Sequence, residues 1–261
     1  ADNALEIMQR SVAAVLAQRE ATGQPMFVHL NHPNFVWGVT AEELMQVHHE
    51  KFFEVYNGHP GVHNAGDAAH LSTEEIWDVV LTRRLAELKL GVMYGIGVDD
   101  SHHYQELMLG KSNSGRGWVM VRAPRLTPDS ISRAMKQGDF YNSTGVTLKT
   151  LQMGNGVIEL EVLPEKGVDY TIEFIGTKVG TALEGREKSD VPADAPGRAT
   201  RVYDANIGIT LASSKGTKAR YVAQGDEIYV RARIVSSKLH SNPYAAGDRE
   251  MAWTQPLVIS K

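Results

Sequence analysis

The sequence predicts a two-part α/β protein, with helices and parallel strands over residues 1–145 and an antiparallel β-sandwich-like domain over residues 146–261. In the first part, helical patterns with capping boxes alternate with short apolar runs, as in a parallel sheet covered by helices. In the second part, short alternating or β-branched segments are separated by Gly, Asn, Asp and Pro, which is typical of a sandwich. Nine of the ten histidines lie at or before residue 103, which assigns the chemistry to the first part.

Composition narrows the class of protein. The net charge is -4 and the hydrophobic content is 42%, so we expect a soluble globular chain that is cytoplasmic, periplasmic or secreted. No Lys/Arg-rich run indicates nucleic-acid binding, and no apolar stretch approaches membrane-spanning length. Cysteine is absent, so any transition metal must be held by His, Asp and Glu.

The first half of this part predicts two helices and two strands. A helix is expected over residues 3–20, and a buried strand over residues 26–33 ends at His32, because Pro33 cannot continue a ladder. The capping-box spacing of Thr40 and Glu43 predicts a helix to about residue 50. Residues 52–58 form the next predicted strand.

A third strand, over residues 92–98, runs directly into two acids, a serine and two histidines. Asp100 and His102 are two apart, so they point the same way in extended backbone. Because the carboxyl ends of parallel strands share one edge of the sheet, we expect His32 to meet them there and to form a divalent metal site. The alternative is a solvated turn.

Other polar residues near these strand ends are candidates for substrate contacts. Glu54 lies inside an apolar strand and needs either a functional cation or a structural partner. Asn57 precedes the polar loop 59–70 and Asp67 lies within it; this loop lines a pocket or is an ordinary surface loop. Arg116 is a candidate for an anionic substrate and His103 for proton transfer, whereas His29 is expected to be a core histidine.

The remaining segments complete the predicted topology. A helix is expected from the capping box at Ser72 to Gly91, a strand over 118–123, a helix over 127–138 and a loop over 139–145. Later strands are expected at 147–151, 157–163, 170–175, 207–211, 227–234 and 253–259. This half is interpreted as a structural or interaction module; a sugar-binding role for its Tyr and Trp residues is the alternative.

As a set, several of these segments resemble the later half of a PHP (polymerase and histidinol phosphatase) domain, in the branch that includes bacterial carbaryl-type ester and amide hydrolases. The resemblance covers most of the chain. It rests on His32-Pro33, 53–58, Asn64 to Asp67, Trp77-Asp78, 97–102, 115–118, 140–145, Tyr229 to Arg231 and Ala252 to Pro256.

The resemblance implies a distorted (β/α)7 barrel, here partial, that holds two or three Zn²⁺, Mn²⁺ or Fe²⁺ ions. By position, His32, Asp100 and His102 match ligands of the later motifs, and a metal-activated water would hydrolyse a phosphoester, carboxylic ester or amide of a small-molecule substrate. Asp100 is then the expected bridge between metal and water.

The family's opening His-x-His motif is not found in this sequence. We therefore expect the chain to associate with its own missing N-terminal segment or as a homo-oligomer. The alternative function is a non-catalytic, PHP-derived binding or assembly module.

Overall fold

The chain is a mixed α and β protein in which sheet predominates. Its computed structural model describes residues 3–49 and 51–259. The first elements are α1 (Ala4–Thr22), α2 (Ala41–Leu44), β1 (Phe52–Asn57), α3 (Thr73–Arg83), β2 (Tyr94–Val98), β3 (Trp118–Val121), α4 (Pro128–Lys136) and β4 (Phe140–Ser143). They are followed by β5 (Leu148–Gly154), β6 (Val157–Val162), β7 (Tyr170–Lys178), β8 (Ile209–Lys215), β9 (Lys218–Val222), β10 (Glu227–Leu239), β11 (Arg249–Thr254) and β12 (Leu257–Val258).

The helices begin where the capping patterns predict. Thr40 and Ser72 each accept a hydrogen bond from the backbone of the glutamate three residues later, and that glutamate bonds back to the cap. α2 nevertheless ends at Leu44, well short of the predicted end near residue 50, which itself lies outside the described residues. The chain turns directly after α2, where the buried guanidinium of Arg84 donates to the carbonyls of Met45 and Val47. These hydrogen bonds hold the segment in a conformation other than a continued helix.

β1 and β2 form a parallel pair, as the alternation of elements predicts. Their register shifts between Glu54 and Tyr56, which marks a β-bulge in β1. The predicted buried strand over residues 26–33 is wrong as stated: it is half-exposed and pairs with β1 only at Leu30. Among the described residues no strand covers its outer side, so it lacks the second neighbour that would bury it.

The antiparallel half contains a larger and a smaller sheet. The larger runs in the order β3-β4-β11-β10-β7-β8, with β12 also on β10, and the smaller is β5-β6-β9. Residues 139–145 were predicted to be a loop, but they include β4, which pairs with β3 on one side and β11 on the other. The boundary predicted at residue 145 stays a prediction; the larger sheet contains strands from both sides of it.

Three hydrophobic clusters fill the interior. One cluster joins both antiparallel sheets through residues such as Leu160 and Ile234. Another packs α3 and β1 against β10 and β11, with Trp77 fully buried at its centre. In the part of the chain that the structure covers, no helix is both long and apolar enough to cross a membrane.

Candidate functional site

The ends of β1 and β2 bring two polar segments together. Asn57 and Val98 are register partners, and the amide of Gly58 donates to the carbonyl of Val98 at 2.9 Å. The chain therefore leaves both strands at one edge of the parallel pair. His59 follows on one side, and Asp99 and Asp100 follow on the other, which supports the expected meeting of strand ends.

Asn57 connects the two strand ends chemically. Its Nδ2 donates to Glu54 Oε2 at 2.8 Å and to Asp100 Oδ2 at 3.1 Å. Residues three apart in a regular strand point to opposite faces, but the bulge between them places Glu54 and Asn57 on the same side. The amide thus fixes the position of the Asp100 carboxylate.

Glu54 is buried and anchors the segment that precedes β1. Its carboxylate accepts the backbone N–H of His32 at 2.7 Å and lies 3.3 Å from His29 Nε2. With the Asn57 amide, it has three protein partners, which satisfies a buried carboxylate. His29 is not the core histidine that was expected, because it is half-exposed and contacts this carboxylate instead of backbone.

Imidazole rings gather beside Asp100. The rings of His59 and His102 meet edge to face with centroids 5.4 Å apart, and His102 Nδ1 lies 2.8 Å from the carbonyl of Asp100. His32 lies near the same group through Phe35, whose ring is 5.1 Å from His32 and 6.2 Å from His59. Asp100 and His102 therefore lie beside His59, and His32 adjoins this group through the Phe35 ring.

The sequence interpretation did not identify His59 as a site residue. Its Nδ1 accepts the backbone N–H of Gly61 at 2.9 Å, so the neutral ring carries its proton on Nε2 and presents a donor. Burial and the neighbouring histidines lower the pKa of His59, although Asp100 opposes this shift. The signal available in the sequence was its position directly after the Asn57-Gly58 turn at the end of β1.

Two predicted ligands have unusual backbone conformations. His32 has φ 20 and Asp100 has φ 46, both in the region that favours glycine. Aspartate and histidine enter this region more readily than most residues, but it still carries strain. Val36 and Trp37, a few residues after His32, also have positive φ, so this backbone feature is not specific to the predicted ligands.

The other predicted site residues lie elsewhere or make other contacts. Asp67 accepts from the amide of Ala69 and lies 2.7 Å from His70 Nδ1; burial opposes its ionisation, but these donors hold the pKa of Asp67 below its ordinary value. His103 is exposed, with Nδ1 at 3.0 Å from Ser112 Oγ. These contacts make Asp67 a local turn residue and leave His103 at the surface.

Arg116 lies beneath the site. It is fully buried and donates to the carbonyls of Gly58, Lys111 and Met108 and to two asparagine oxygens. The guanidinium therefore supports the loops on which His59 and His103 stand. In this position it contacts protein acceptors and holds the walls of the site.

Imidazole and carboxylate groups are ligand types that divalent transition metals take in proteins. Two imidazoles and one carboxylate match Zn²⁺, Mn²⁺ and Fe²⁺, and three protein ligands are usual where a coordination position stays open for water. Over residues 3–49 and 51–259, no three His, Asp or Glu side chains are grouped closely enough to form a ready-made metal cluster.

Comparison with protein-family models and with curated proteins gives no match to this chain.

Proposed function

We propose that this chain is a metal-dependent hydrolase of a small-molecule phosphoester, carboxylic ester or amide, with its site at the ends of β1 and β2. The observation that carries the proposal is the Asn57 amide, which links Glu54 to Asp100 beside the His59 and His102 rings. It joins two strand ends that are 43 residues apart in the chain. Buried strand ends with convergent carboxylate and imidazole groups are a common setting for metal-assisted hydrolysis.

The architecture supports a PHP-like assignment as part of the same proposal. The parallel pair β1–β2, with residues 26–31 beside β1 and α3 between the strands, is consistent with part of a (β/α)7 barrel. The two antiparallel sheets with a common core are consistent with the β-sandwich that would follow it. Among the described residues no strand pairs with the outer side of residues 26–31, which supports the expected association with a further strand or a second copy.

His32, Asp100 and His102 are the proposed ligands. A divalent ion held by them would lower the pKa of a bound water and polarise the scissile group. Asn57 orients the Asp100 carboxylate, and Glu54 positions the backbone of His32.

Two further histidines have roles in the proposed reaction. His59 presents its Nε2–H to an oxygen of the substrate, where a fixed donor stabilises developing negative charge. His103, held at Nδ1 by Ser112, transfers a proton at the exposed side of the site.

The first experiment measures metal. Purified chain is incubated with Zn²⁺ or Mn²⁺, dialysed and analysed by plasma mass spectrometry, together with His32→Ala, Asp100→Asn and His102→Ala. Asparagine tolerates the positive φ of residue 100, so its effect reports on the carboxylate. Each variant is expected to lose metal affinity by at least about tenfold.

His48→Ala is the matched control, because His48 is an exposed histidine bonded to α1 through its backbone. Hydrolysis is then followed with p-nitrophenyl phosphate, p-nitrophenyl acetate and a p-nitroanilide, with and without a chelator. A chain that binds no metal, or whose three ligand variants bind it as well as the wild type, contradicts the proposal. That result would favour the non-catalytic binding or assembly module.

A further inference from the structure

A cavity of about 620 Å³ lies where α1, the segment before β1 and the end of α4 meet. Its volume is in the range of small-molecule sites. Its apolar wall consists of Val15, Leu16, Phe27, Val28 and Phe52. None of these residues contributes a side chain to the candidate metal site.

Positive charge dominates the charged lining of this cavity. Among the described lining residues, the cations are Arg19, Lys51 and Lys136, the carboxylate is Glu20, and His49 adds an imidazole. Burial and the nearby cations, Arg19 foremost, lower the pKa of Lys136. The acid closest along α4, Asp129, is engaged in a two-point ion pair with Arg133.

Helix dipoles explain part of this arrangement. Arg19 lies in the last turn of α1 and Lys136 in the last turn of α4, where cations are favourable. Arg19 also donates to the carbonyl of Met26, at a long 3.4 Å. Helix dipoles favour each cation at its own helix end, but they do not require Arg19 and Lys136, from distant parts of the chain, to line the same partly apolar cavity.

We propose that this cavity binds an amphipathic carboxylate, with its aliphatic chain against Leu16 and Phe27 and its carboxylate between Arg19 and Lys136. The planar guanidinium can take a carboxylate through two parallel hydrogen bonds, and the ammonium adds a point charge. The apolar wall supplies the affinity for the chain, which grows with each buried methylene. A carboxylate alone would leave the apolar wall without a partner, and an aliphatic chain alone would leave the two cations without one.

The test uses octanoate as the probe, with the full chain stripped of metal and dialysed so that a metal-bound carboxylate cannot contribute. Isothermal titration calorimetry is expected to show one octanoate per chain. Acetate, which has only the charge, and octanol, which has only the apolar chain, are each expected to bind at least about tenfold more weakly. Hexanoate, with two methylenes fewer, is expected to lose about tenfold in affinity.

Variants locate the site. Arg19→Gln and Lys136→Gln are each expected to weaken the binding of octanoate and of acetate by about tenfold, because both carry the carboxylate, while leaving octanol nearly unchanged. Leu16→Glu, which places a like charge in the wall, is expected to abolish binding. Lys166→Gln is the control for loss of a surface cation, since Lys166 is exposed in the turn between β6 and β7.

Circular dichroism and the melting temperature show whether each variant is folded, and all four substitutions are at positions with exposed or half-buried side chains. The inference is overturned if octanoate and octanol bind equally, if the two glutamine variants bind octanoate like the Lys166 control, or if no binding is seen. Metal binding by the same protein preparation is measured separately, so failure here leaves the hydrolase proposal unaffected.

Discussion

Removing the Arg231 guanidinium tests how the first part of the chain is joined to the antiparallel half. Arg231 on β10 is buried and donates from Nε and Nη2 to the two Asp78 oxygens, at 2.9 and 2.7 Å. Its Nη1 reaches Glu74 at 3.0 Å, and its guanidinium lies 4.9 Å from the Trp77 ring centroid. We consider Arg231→Met, which keeps most of the side-chain volume and deletes the charge.

The expected cost follows from what remains. Asp78 is 5% exposed. Without Arg231, its carboxylate would still accept the hydrogen bond from the Tyr229 hydroxyl at 2.7 Å but would have lost its counter-ion. A buried charge that loses its counter-ion costs about 3–5 kcal/mol. Glu74 would keep Arg233 as its cation; burial opposes its ionisation, and the two arginines hold the pKa of Glu74 below its ordinary value.

Urea denaturation at pH 7 measures this cost directly, and the melting temperature should fall by about 6–20 °C. The double variant Arg231→Met/Asp78→Leu removes both charges and should recover about 1–3 kcal/mol relative to Arg231→Met alone. A loss below about 1 kcal/mol for the single variant would refute the reasoning. Equal stability of the single and double variants would show that the uncompensated carboxylate is not the cause.

Two further perturbations test local contacts. The Glu227 carboxylate is buried, but backbone N–H groups and the Tyr221 hydroxyl hold its pKa below the ordinary 4.5; its stabilisation is therefore present at neutral pH and is lost as the pH falls through the folded-state pKa. Glu227→Gln should lower the free energy of unfolding by about 1–3 kcal/mol at pH 7 and by clearly less near pH 3, as measured by urea denaturation at both pH values. A loss that is the same at both pH values would contradict this reasoning. Tyr221→Phe removes only one of the hydrogen bonds to Glu227 and should cost less than Glu227→Gln. Gly58→Ala places a Cβ 2.7 Å from Arg116 Cβ and should lower the free energy of unfolding by about 1–3 kcal/mol in the same assay. Gly38→Ala is the control, because its Cβ would lie 3.4 Å from the nearest atom, and it should cost far less. Equal losses for the two variants would contradict the steric argument.

Helix starts and the parallel pair could be predicted because their signals are local. A capping box needs only residues three apart, and the apolar runs at β1 and β2 end in turns visible in the sequence. The strand β4 was missed because its stability comes from Ala252 and its neighbours on β11, more than 100 residues later. Polar residues such as Asn142 and Ser143 give it no apolar run to detect.

The site was predictable in composition and not in geometry. His32, Glu54, Asn57 and Asp100 were identified because polar groups follow or interrupt apolar strands. The Asn57 amide links Glu54 to Asp100 because a bulge adds one residue to β1 and changes the face on which Asn57 lies. A prediction based on strict alternation along a strand assumes that no such residue is inserted. His29 was assigned to the core because strand parity assumes full pairing, which residues 26–31 do not have.

Asn142, on β4, joins the candidate site to the larger sheet. Its side chain accepts the amide of Gly97 at 2.9 Å and donates to the carbonyl of Gly95 at 2.9 Å, while Gln255 accepts the Gly95 amide at 3.1 Å. The amides of Gly95 and Gly97 are therefore held by side chains from β4 and from the segment that follows β11. The loops around Asp100 can open without breaking these hydrogen bonds. The amide protons of Gly95 and Gly97 should therefore exchange with solvent only when the larger sheet unfolds.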